Sequence, residues 1–161
     1  EILRNGLSDI LPESINAEVH DVQNGQDIII KLNNIPLYYI EVKSRWDSNS
    51  SIRMSKNQTI KANKEKLNYA LCSVDMSRYI GAKRYEVEDI NEIKSLIKFN
   101  TTIGEEVSHL IGILTETNNP DRIHLDGDYR TLIPQTFIET GISLSDFETF
   151  LINFLRDNNG N

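Results

Sequence analysis

The sequence predicts an α/β fold: a mixed sheet flanked by helices, followed by a mostly helical C-terminal extension. Two observations predict the sheet. Two segments rich in Ile, Val and Tyr are joined by a short turn, and a third apolar segment comes after a helical one. Strand pair, helix and strand in this order are typical of an α/β sheet. With 161 residues, the chain has the size of one compact domain.

The first elements follow from apolar spacing. A helix is predicted at the start of the chain, because apolar residues recur at near-helical spacing ahead of Pro12: Ile2, Leu3, Leu7, Ile10 and Leu11. After a short extended stretch, residues 27–32 and 37–43 are rich in Ile, Val and Tyr as strands are, and the Asn-Asn-Ile-Pro segment at 33–36 predicts the turn of a β-hairpin.

A capping box predicts the next helix. Ser55, Lys56, Asn57 and Gln58 have the S-x-x-Q form in which two side chains satisfy the first backbone N–H groups of a helix. We expect a short strand at 52–54 before it, a helix to about residue 67, and a buried strand over the largely apolar residues 69–74.

The rest of the chain is predicted to be mostly helical. Ile90, Ile93 and Ile97 share one helix face, which predicts a helix over residues 87–98. Motifs of capping-box form begin at Thr102 and Ser145, each ahead of an amphipathic segment. We therefore expect a core of residues 1–85 with an extension of residues 86–161 packed on it.

Composition restricts the function. The net charge is −7, yet residues 31–84 carry eleven basic and four acidic side chains, +7, between flanks of −5 and −9. Lys and Arg contacts to phosphate dominate nucleic-acid affinity. Because residues 31–84 are basic, the negative net charge of the chain does not exclude a nucleic-acid partner. Considered alone, the segment is equally well explained as a solvated helix face.

The cellular context follows from three observations. Cys72 is the only cysteine, which excludes an internal disulfide and a cysteine-rich zinc site and favours the cytoplasm. No apolar run approaches the roughly 20 residues that cross a bilayer, so no membrane partner is expected. The chain starts without an initiator methionine, which favours a piece of a larger protein with other domains as partners.

Two carboxylates and a lysine are expected at one end of the hairpin. Glu41 and Lys43 lie two residues apart on the second strand and so share a face, and Asp27 starts the first strand. Carboxylate oxygens suit a hard cation, and an ammonium beside them orients a water or steadies a phosphate. An exposed ion pair on an edge strand is the alternative interpretation of the same spacing.

The strand register decides whether this site forms. With a four-residue loop, Asp27 would lie opposite Val42 and point away from Glu41. An odd loop or a β-bulge restores the shared face. The site therefore requires an irregularity between residues 27 and 41.

These motifs resemble a known superfamily. Asp27 followed by Ile-Glu-Val-Lys at residues 40–43, on a hairpin flanked by helices, resembles the PD-(D/E)XK nucleases, especially their Mrr-like and Holliday-junction-resolvase-like branch. The segments DIIIKLNNIPLYYIEVKSR, MSKNQ and YALCSVD, in this order, are similar to the NO VEIN C-terminal domain, which often stands at the end of large ATPase-like or helicase-like proteins. The similarity covers about residues 1–76.

The resemblance implies a restriction-endonuclease-like fold and a metal-dependent nuclease. Asp27, Glu41 and the carbonyl of Val42 would bind Mg²⁺ or Mn²⁺, and Lys43 would position the attacking water. Gln58 would match a polar residue on the following helix, although the capping box explains it equally well.

Further residues follow from the same resemblance. Many relatives have a glutamate on the first helix; Glu1 matches it best, with Glu13 and Glu18 as weaker alternatives. Basic residues beyond the site would receive a nucleic-acid backbone, DNA in the first instance: Arg45, Arg53, Lys56, Lys61, Lys64 and Lys66. There are two competing interpretations: a catalytically inactive module that binds nucleic acid or a protein partner, and an interaction domain with an acidic helical end. The sequence does not exclude a homodimer.

Overall fold

The computed structural model describes residues 1–21, 27–47, 51–81, 86–117 and 131–159. The helices in these residues are α1 (Ile2–Asp9), α2 (Lys56–Glu65), α3 (Ile90–Ile93), α4 (Ile103–Thr117), α5 (Gln135–Glu139) and α6 (Leu144–Asn158). The strands are β1 (Ala17–Asp21), β2 (Ile28–Leu32), β3 (Ile35–Arg45), β4 (Ile52–Met54), β5 (Tyr69–Asp75), β6 (Ile97–Asn100), β7 (Thr131–Ile133) and β8 (Ile142–Ser143).

Six of the strands form one mixed sheet in the order β1-β2-β3-β5-β6-β8. The first three strands pair antiparallel, β5 lies parallel to β3, and β6 and β8 continue the sheet antiparallel. Helix α2 lies in the connection between the two parallel strands. The predicted mixed sheet flanked by helices is thus confirmed, and two of its strands, β6 and β8, come from the part of the chain after residue 85.

The predicted β2–β3 hairpin is confirmed, with a tighter turn than expected. Asn33 and Asn34 both have positive φ, 51° and 65°, the property of the two central residues of a type I′ turn. Ile35 and Pro36 were predicted in the turn but belong to β3. The partner of Ile30 is Tyr38 and that of Lys31 is Pro36. Leu37 is therefore the extra residue of a β-bulge, a position beside which Pro is tolerated.

A core lies on each face of the sheet. On one face α1 and α6 cover the strands, and the core includes Leu7, Ile30, Tyr38, Ile40, Cys72, Phe99, Phe147 and Leu151. On the other face α2 and α4 do so, and the core includes Ile29, Tyr39, Met54, Ala62, Tyr69, Leu71, Ile103 and Val107. Consecutive residues of β2, β3 and β5 alternate between the two cores, as the pleat of a strand requires.

Two predictions for the C-terminal half are wrong in detail. The helix expected over residues 87–98 is a single turn, Ile90–Ile93, followed by a 3₁₀ turn, and Ile97–Asn100 form β6 instead. Pairing with β5 buries Ile97 and Phe99, and this outweighs the local helical spacing. The last helix is capped by Ser143 and not by Ser145, because the Ser143 hydroxyl accepts a hydrogen bond from the Asp146 N–H at 3.2 Å.

Gly104 allows α4 to approach the C-terminal end of α2. A Cβ at this position would overlap the carbonyl oxygen of Lys66 and come within 2.8 Å of that of Ala62. We expect Gly104→Ala to lower the free energy of unfolding by about 1–3 kcal/mol, because backbone atoms must move to make room. Urea denaturation measures this change.

Gly112, in the same helix, provides the matched control. A Cβ there would meet nothing within 4 Å. Gly112→Ala should therefore leave the free energy of unfolding unchanged or raise it by up to about 1 kcal/mol, as helix propensity predicts. Equal effects of the two substitutions would show that the contact between α2 and α4 is not tight at Gly104.

Candidate functional site

The β-bulge aligns Asp27 with Glu41. Beyond the bulge, Ile28 pairs with Ile40 and Ile29 with Tyr39. Continuing this register by one residue brings Asp27 opposite Glu41 rather than Val42, and residues opposite each other share a face of the sheet. The irregularity that the sequence predicts between residues 27 and 41 is thus confirmed.

The Asp27 side chain continues the β2–β3 pairing past the end of β2. Its Oδ2 accepts a hydrogen bond from the backbone N–H of Val42 at 2.7 Å. Because the N–H and C=O of one strand residue point to the same neighbouring strand, the Val42 carbonyl faces this end of β2 as well. Asp27 itself is exposed, so its carboxylate is accessible from solvent.

Glu41 is the buried charge of the site. Its side chain is 0% exposed, and its Oε1 lies 2.5 Å from the ammonium nitrogen of Lys43 and accepts a hydrogen bond from the side-chain amide of Gln58. Its Oε2 is buried without a hydrogen-bond partner among the residues that the structure describes. A buried carboxylate oxygen in this situation is costly, and a cation or a further donor would relieve that cost.

Gln58 takes part in the helix cap and in the site at once. Its Oε1 accepts a hydrogen bond from the Ser55 N–H at 2.7 Å, and its own N–H donates to the Ser55 hydroxyl at 3.4 Å, which confirms the capping box. Its amide nitrogen donates to Glu41. Since an amide side chain carries separate donor and acceptor atoms, Gln58 caps the helix and contacts Glu41 at the same time.

Burial raises the pKa of Glu41 above its ordinary value. Desolvation is the largest cause, and the negative charge of Asp27 adds to it, whereas Lys43 and Gln58 act in the opposite direction. The net shift is upward. Carboxylates with such perturbed pKa values are concentrated at functional sites.

An open cavity of about 320 Å³ lies beside Asp27, and its lining includes Glu1, Arg4 and Asp21. Glu1, the best match for a glutamate on the first helix, therefore shares a cavity with Asp27. The alternatives Glu13 and Glu18 line a different one. The sequence contains no signal for Arg4 or Asp21, because nothing in the spacing links positions 4 and 21 to 27.

No cluster of three or more His, Cys, Asp or Glu side chains suited to a metal ion occurs within the described ranges. A cation at this site would therefore be coordinated by two carboxylates, those of Asp27 and Glu41, and by backbone or solvent oxygen atoms. Oxygen ligands of this kind suit Mg²⁺ and Mn²⁺.

The predicted nucleic-acid-binding residues differ in exposure. Exposed members of the set are Arg53, Lys56, Lys64 and Lys66. Lys61 is bonded to Glu65 at 2.8 Å and lies 3.7 Å from the centroid of the Tyr39 ring.

Arg45 is placed differently from the expectation of a surface residue. It is only 5% exposed, and its guanidinium is paired with Asp75. Asp75 stands opposite Arg45 in the parallel pairing of β3 with β5. That partner is 30 residues away along the chain, which is why the local pattern does not identify it.

The raised pKa of Glu41 leads to a prediction for stability. Between the ordinary carboxyl pKa of 4.5 and the raised native value, the native state binds more protons than the unfolded state, so stability falls as pH rises through this window. The cost is complete above the native pKa and absent below pH 4.5. Glu41→Gln should therefore stabilise the protein at pH 8 by on the order of 1 kcal/mol, or about 2–4 °C in Tm, and should not do so at pH 4.

Thermal unfolding at both pH values measures the effect, and Glu65→Gln is the control. The control removes a carboxylate paired with Lys61 outside the site, and its stability at pH 8 should be unchanged or lower. A loss of stability in Glu41→Gln at pH 8 would mean that the ion pair with Lys43 outweighs the cost of burying Glu41.

The comparisons with known proteins identify the family. The family model described as "Protein NO VEIN, C-terminal" matches residues 2–87, a range that contains the whole hairpin, α2 and β5. No curated protein and no solved structure matches the chain. In the described residues, no helix is long and apolar enough to cross a membrane. Because the match covers more than half of the chain, the protein belongs to the NO VEIN C-terminal family.

Proposed function

We propose that this protein is a metal-dependent nuclease domain that hydrolyses phosphodiester bonds of nucleic acid, with DNA as the expected substrate. The observation that carries the proposal is the Glu41 carboxylate: it is fully buried, contacts Lys43 and Gln58 through one oxygen, and has an unpartnered second oxygen as far as the described residues go. Membership of the family does not establish an activity, so the proposal rests on this site.

The residues fit a divalent cation. Among the described residues Glu41 supplies a buried oxygen without a partner, Asp27 is aligned with it, and the Val42 carbonyl faces the same end of β2. These are oxygen ligands, which Mg²⁺ and Mn²⁺ prefer. When bound, such a cation polarises a phosphoryl oxygen and lowers the pKa of its water.

Lys43 supplies the positive charge that the reaction needs. Its ammonium lies 2.5 Å from Glu41 Oε1, and its side chain is 28% exposed, so the group is held at the site and is still accessible to a substrate. An ammonium in this position donates to a water or to a phosphate oxygen and stabilises the negative charge that develops in the transition state. Gln58 holds Glu41 from the start of α2 and thereby also positions Lys43.

The nucleic-acid backbone is proposed to lie along β4 and the exposed side of α2. Arg53 lies on β4, and Lys56 and Lys64 lie on α2, the helix that also carries Gln58. All three side chains are exposed. Phosphate contacts from these residues would bring the backbone past the carboxylates without any reading of base sequence.

The first prediction of this proposal concerns cleavage. Lys43→Ala should reduce Mn²⁺-dependent phosphodiester cleavage at least about 100-fold while nucleic-acid binding persists, because the ammonium acts mainly in the transition state. Asp27→Asn should reduce cleavage and Mn²⁺ affinity together. Cleavage of single-stranded, double-stranded and branched DNA and RNA measures this.

Lys94→Ala is the control, since Lys94 is an exposed lysine on the 3₁₀ turn after α3, outside the site. It should retain full cleavage. Equal residual cleavage in wild type and all variants would reveal a contaminating nuclease. A folded wild type that binds nucleic acid and cleaves none of the substrates would favour the inactive binding module.

The second prediction concerns binding. Replacing Arg53 and Lys56 together by Glu should weaken nucleic-acid binding at low salt at least about tenfold and flatten its dependence on salt, because fewer counterions are released. Fluorescence anisotropy at several salt concentrations measures both quantities.

The matched control is the double substitution of Lys94 and Arg156 by Glu, which changes the net charge equally at exposed positions outside β4 and α2. It should have a much smaller effect on affinity. Equal effects of the two double variants would mean that binding follows net charge and not the surface of β4 and α2.

A further inference from the structure

Three buried oxygen atoms on one face of the sheet lack a hydrogen-bond partner in the described part of the chain: Oε2 of Glu41, the hydroxyl of Tyr69 and Oδ1 of Asn100, which pairs with Leu71. Glu41 and Tyr69 are 0% exposed. A buried hydroxyl without a partner is unfavourable, because its desolvation is not compensated. Of these three atoms the Tyr69 hydroxyl is the donor, and Glu41 Oε2 and Asn100 Oδ1 are acceptors. The Glu41 carboxylate is the one whose charge acts on the Tyr69 phenol.

The strand register brings the two residues close together. In the parallel pairing of β3 with β5, Tyr39 is opposite Tyr69 and Glu41 is opposite Leu71. Tyr69 therefore stands two residues before the partner of Glu41, on the same face. With strands about 4.8 Å apart and a rise of about 3.3 Å per residue, their Cα atoms lie roughly 8 Å apart, a distance that a tyrosine side chain nearly spans.

Electrostatics distinguishes Tyr69 from the other buried tyrosine of this kind. Burial raises the pKa of the Tyr69 phenol most, and the charges of Glu41 and Asp27 raise it further. Tyr38 is equally buried, and its hydroxyl also lacks a partner among the described residues, but burial alone raises its pKa. Tyr38 lies in the core on the opposite face of the sheet. The two carboxylates therefore raise the pKa of Tyr69 and not that of Tyr38.

We infer that Tyr69 is a positioning residue of the site, whose hydroxyl donates to Glu41 Oε2 through one bridging water. A carboxylate oxygen has two lone pairs, so Oε2 can accept this hydrogen bond and still bind a cation. Glu41 is then held through both oxygens, by Lys43 and Gln58 on one and by Tyr69 on the other. The cation-binding part of this inference rests on the proposed function; the contact between Tyr69 and Glu41 does not.

Tyr69→Phe tests the role, with Tyr38→Phe as the matched control. Each substitution removes one buried hydroxyl that lacks a partner in the part of the chain that the structure describes, and only the first removes one near Glu41. Partners that orient a metal ligand typically contribute 10–100-fold to metal affinity. We expect Tyr69→Phe to weaken Mn²⁺ binding, measured by electron paramagnetic resonance, roughly tenfold or more, and Tyr38→Phe to leave it unchanged.

A titration without any metal separates this inference from the proposed function. The carboxyl carbon of Glu41, followed by ¹³C NMR against pH, should titrate at a higher pKa in Tyr69→Phe than in wild type, because the ionised carboxylate loses a donor. The control Tyr38→Phe should titrate as wild type does. Should Tyr69→Phe fail to fold, the ring carbon bonded to the Tyr69 hydroxyl in wild type should follow the Glu41 titration, and that of Tyr38 should not.

The outcomes lead to different conclusions. A higher Glu41 pKa in Tyr69→Phe alone supports the inference, and it does so even when wild type binds no Mn²⁺, a result that would overturn the proposed function only. Identical Glu41 titrations in both variants, or a wild-type Tyr69 signal that ignores Glu41, would overturn the inference. Unchanged Mn²⁺ affinity in Tyr69→Phe would remove its role in holding the cation ligand.

Discussion

The bulge at Leu37 is the constraint on which the rest of the structure depends. The two-residue turn at Asn33 and Asn34, continued without a bulge, would pair Asp27 with Ile40 and Tyr38 with Ile29. Asp27 would then face away from Glu41, and Tyr38 would be directed into the wrong core. With one extra residue, Tyr38 pairs with Ile30, and its ring packs against the aromatic side chains of α6 at centroid distances from 5.2 Å. The burial of aromatic area thus maintains the same register that aligns the carboxylates.

Glu41 connects the core to the site. Its neighbours along the same face of β3 are Tyr39, which is part of the core, and Lys43, which reaches solvent, so the charge stands at the boundary between apolar packing and water. Gln58 joins this residue to the first turn of α2, because one amide both caps the helix and donates to Glu41. A displacement of α2 would therefore displace the donor to Glu41. A substitution of Glu41 would in turn alter the N-terminal cap of α2. The hydrogen bond between Gln58 and Glu41 thus fixes the position of a carboxylate whose burial is unfavourable.

Not all basic side chains of residues 31–84 are at the surface: some form ion pairs inside the protein, and others are exposed to solvent. The +7 of residues 31–84 predicts a basic surface, but Arg45 is used inside the protein. Asp75 accepts hydrogen bonds from Ser77 and Arg45, and these, together with the charges of Arg45 and Arg78, lower its pKa although burial opposes them. The exposed members of the predicted set are fewer: Arg53 on β4, Lys56 and Lys64 on α2, and Lys66 directly after α2. The proposed nucleic-acid surface is accordingly narrower than the charge count suggests.

Local patterns along the chain were sufficient for much of the fold and for part of the site. The hairpin strands, the capping box at Ser55 and Gln58, the buried strand β5 and the common face of Glu41 and Lys43 all depend on residues a few positions apart, and each is present. Four features could not be obtained in this way: the position of the bulge, the pairing of Arg45 with Asp75, the strand at residues 97–100, and the placement of Tyr69 on the neighbouring strand and the same face as Glu41. Each of them depends on which strands become neighbours, and burial of the two cores decides that between segments far apart in the chain. Periodicity assigns a residue to a face, whereas the packing of the whole sheet determines what it meets there.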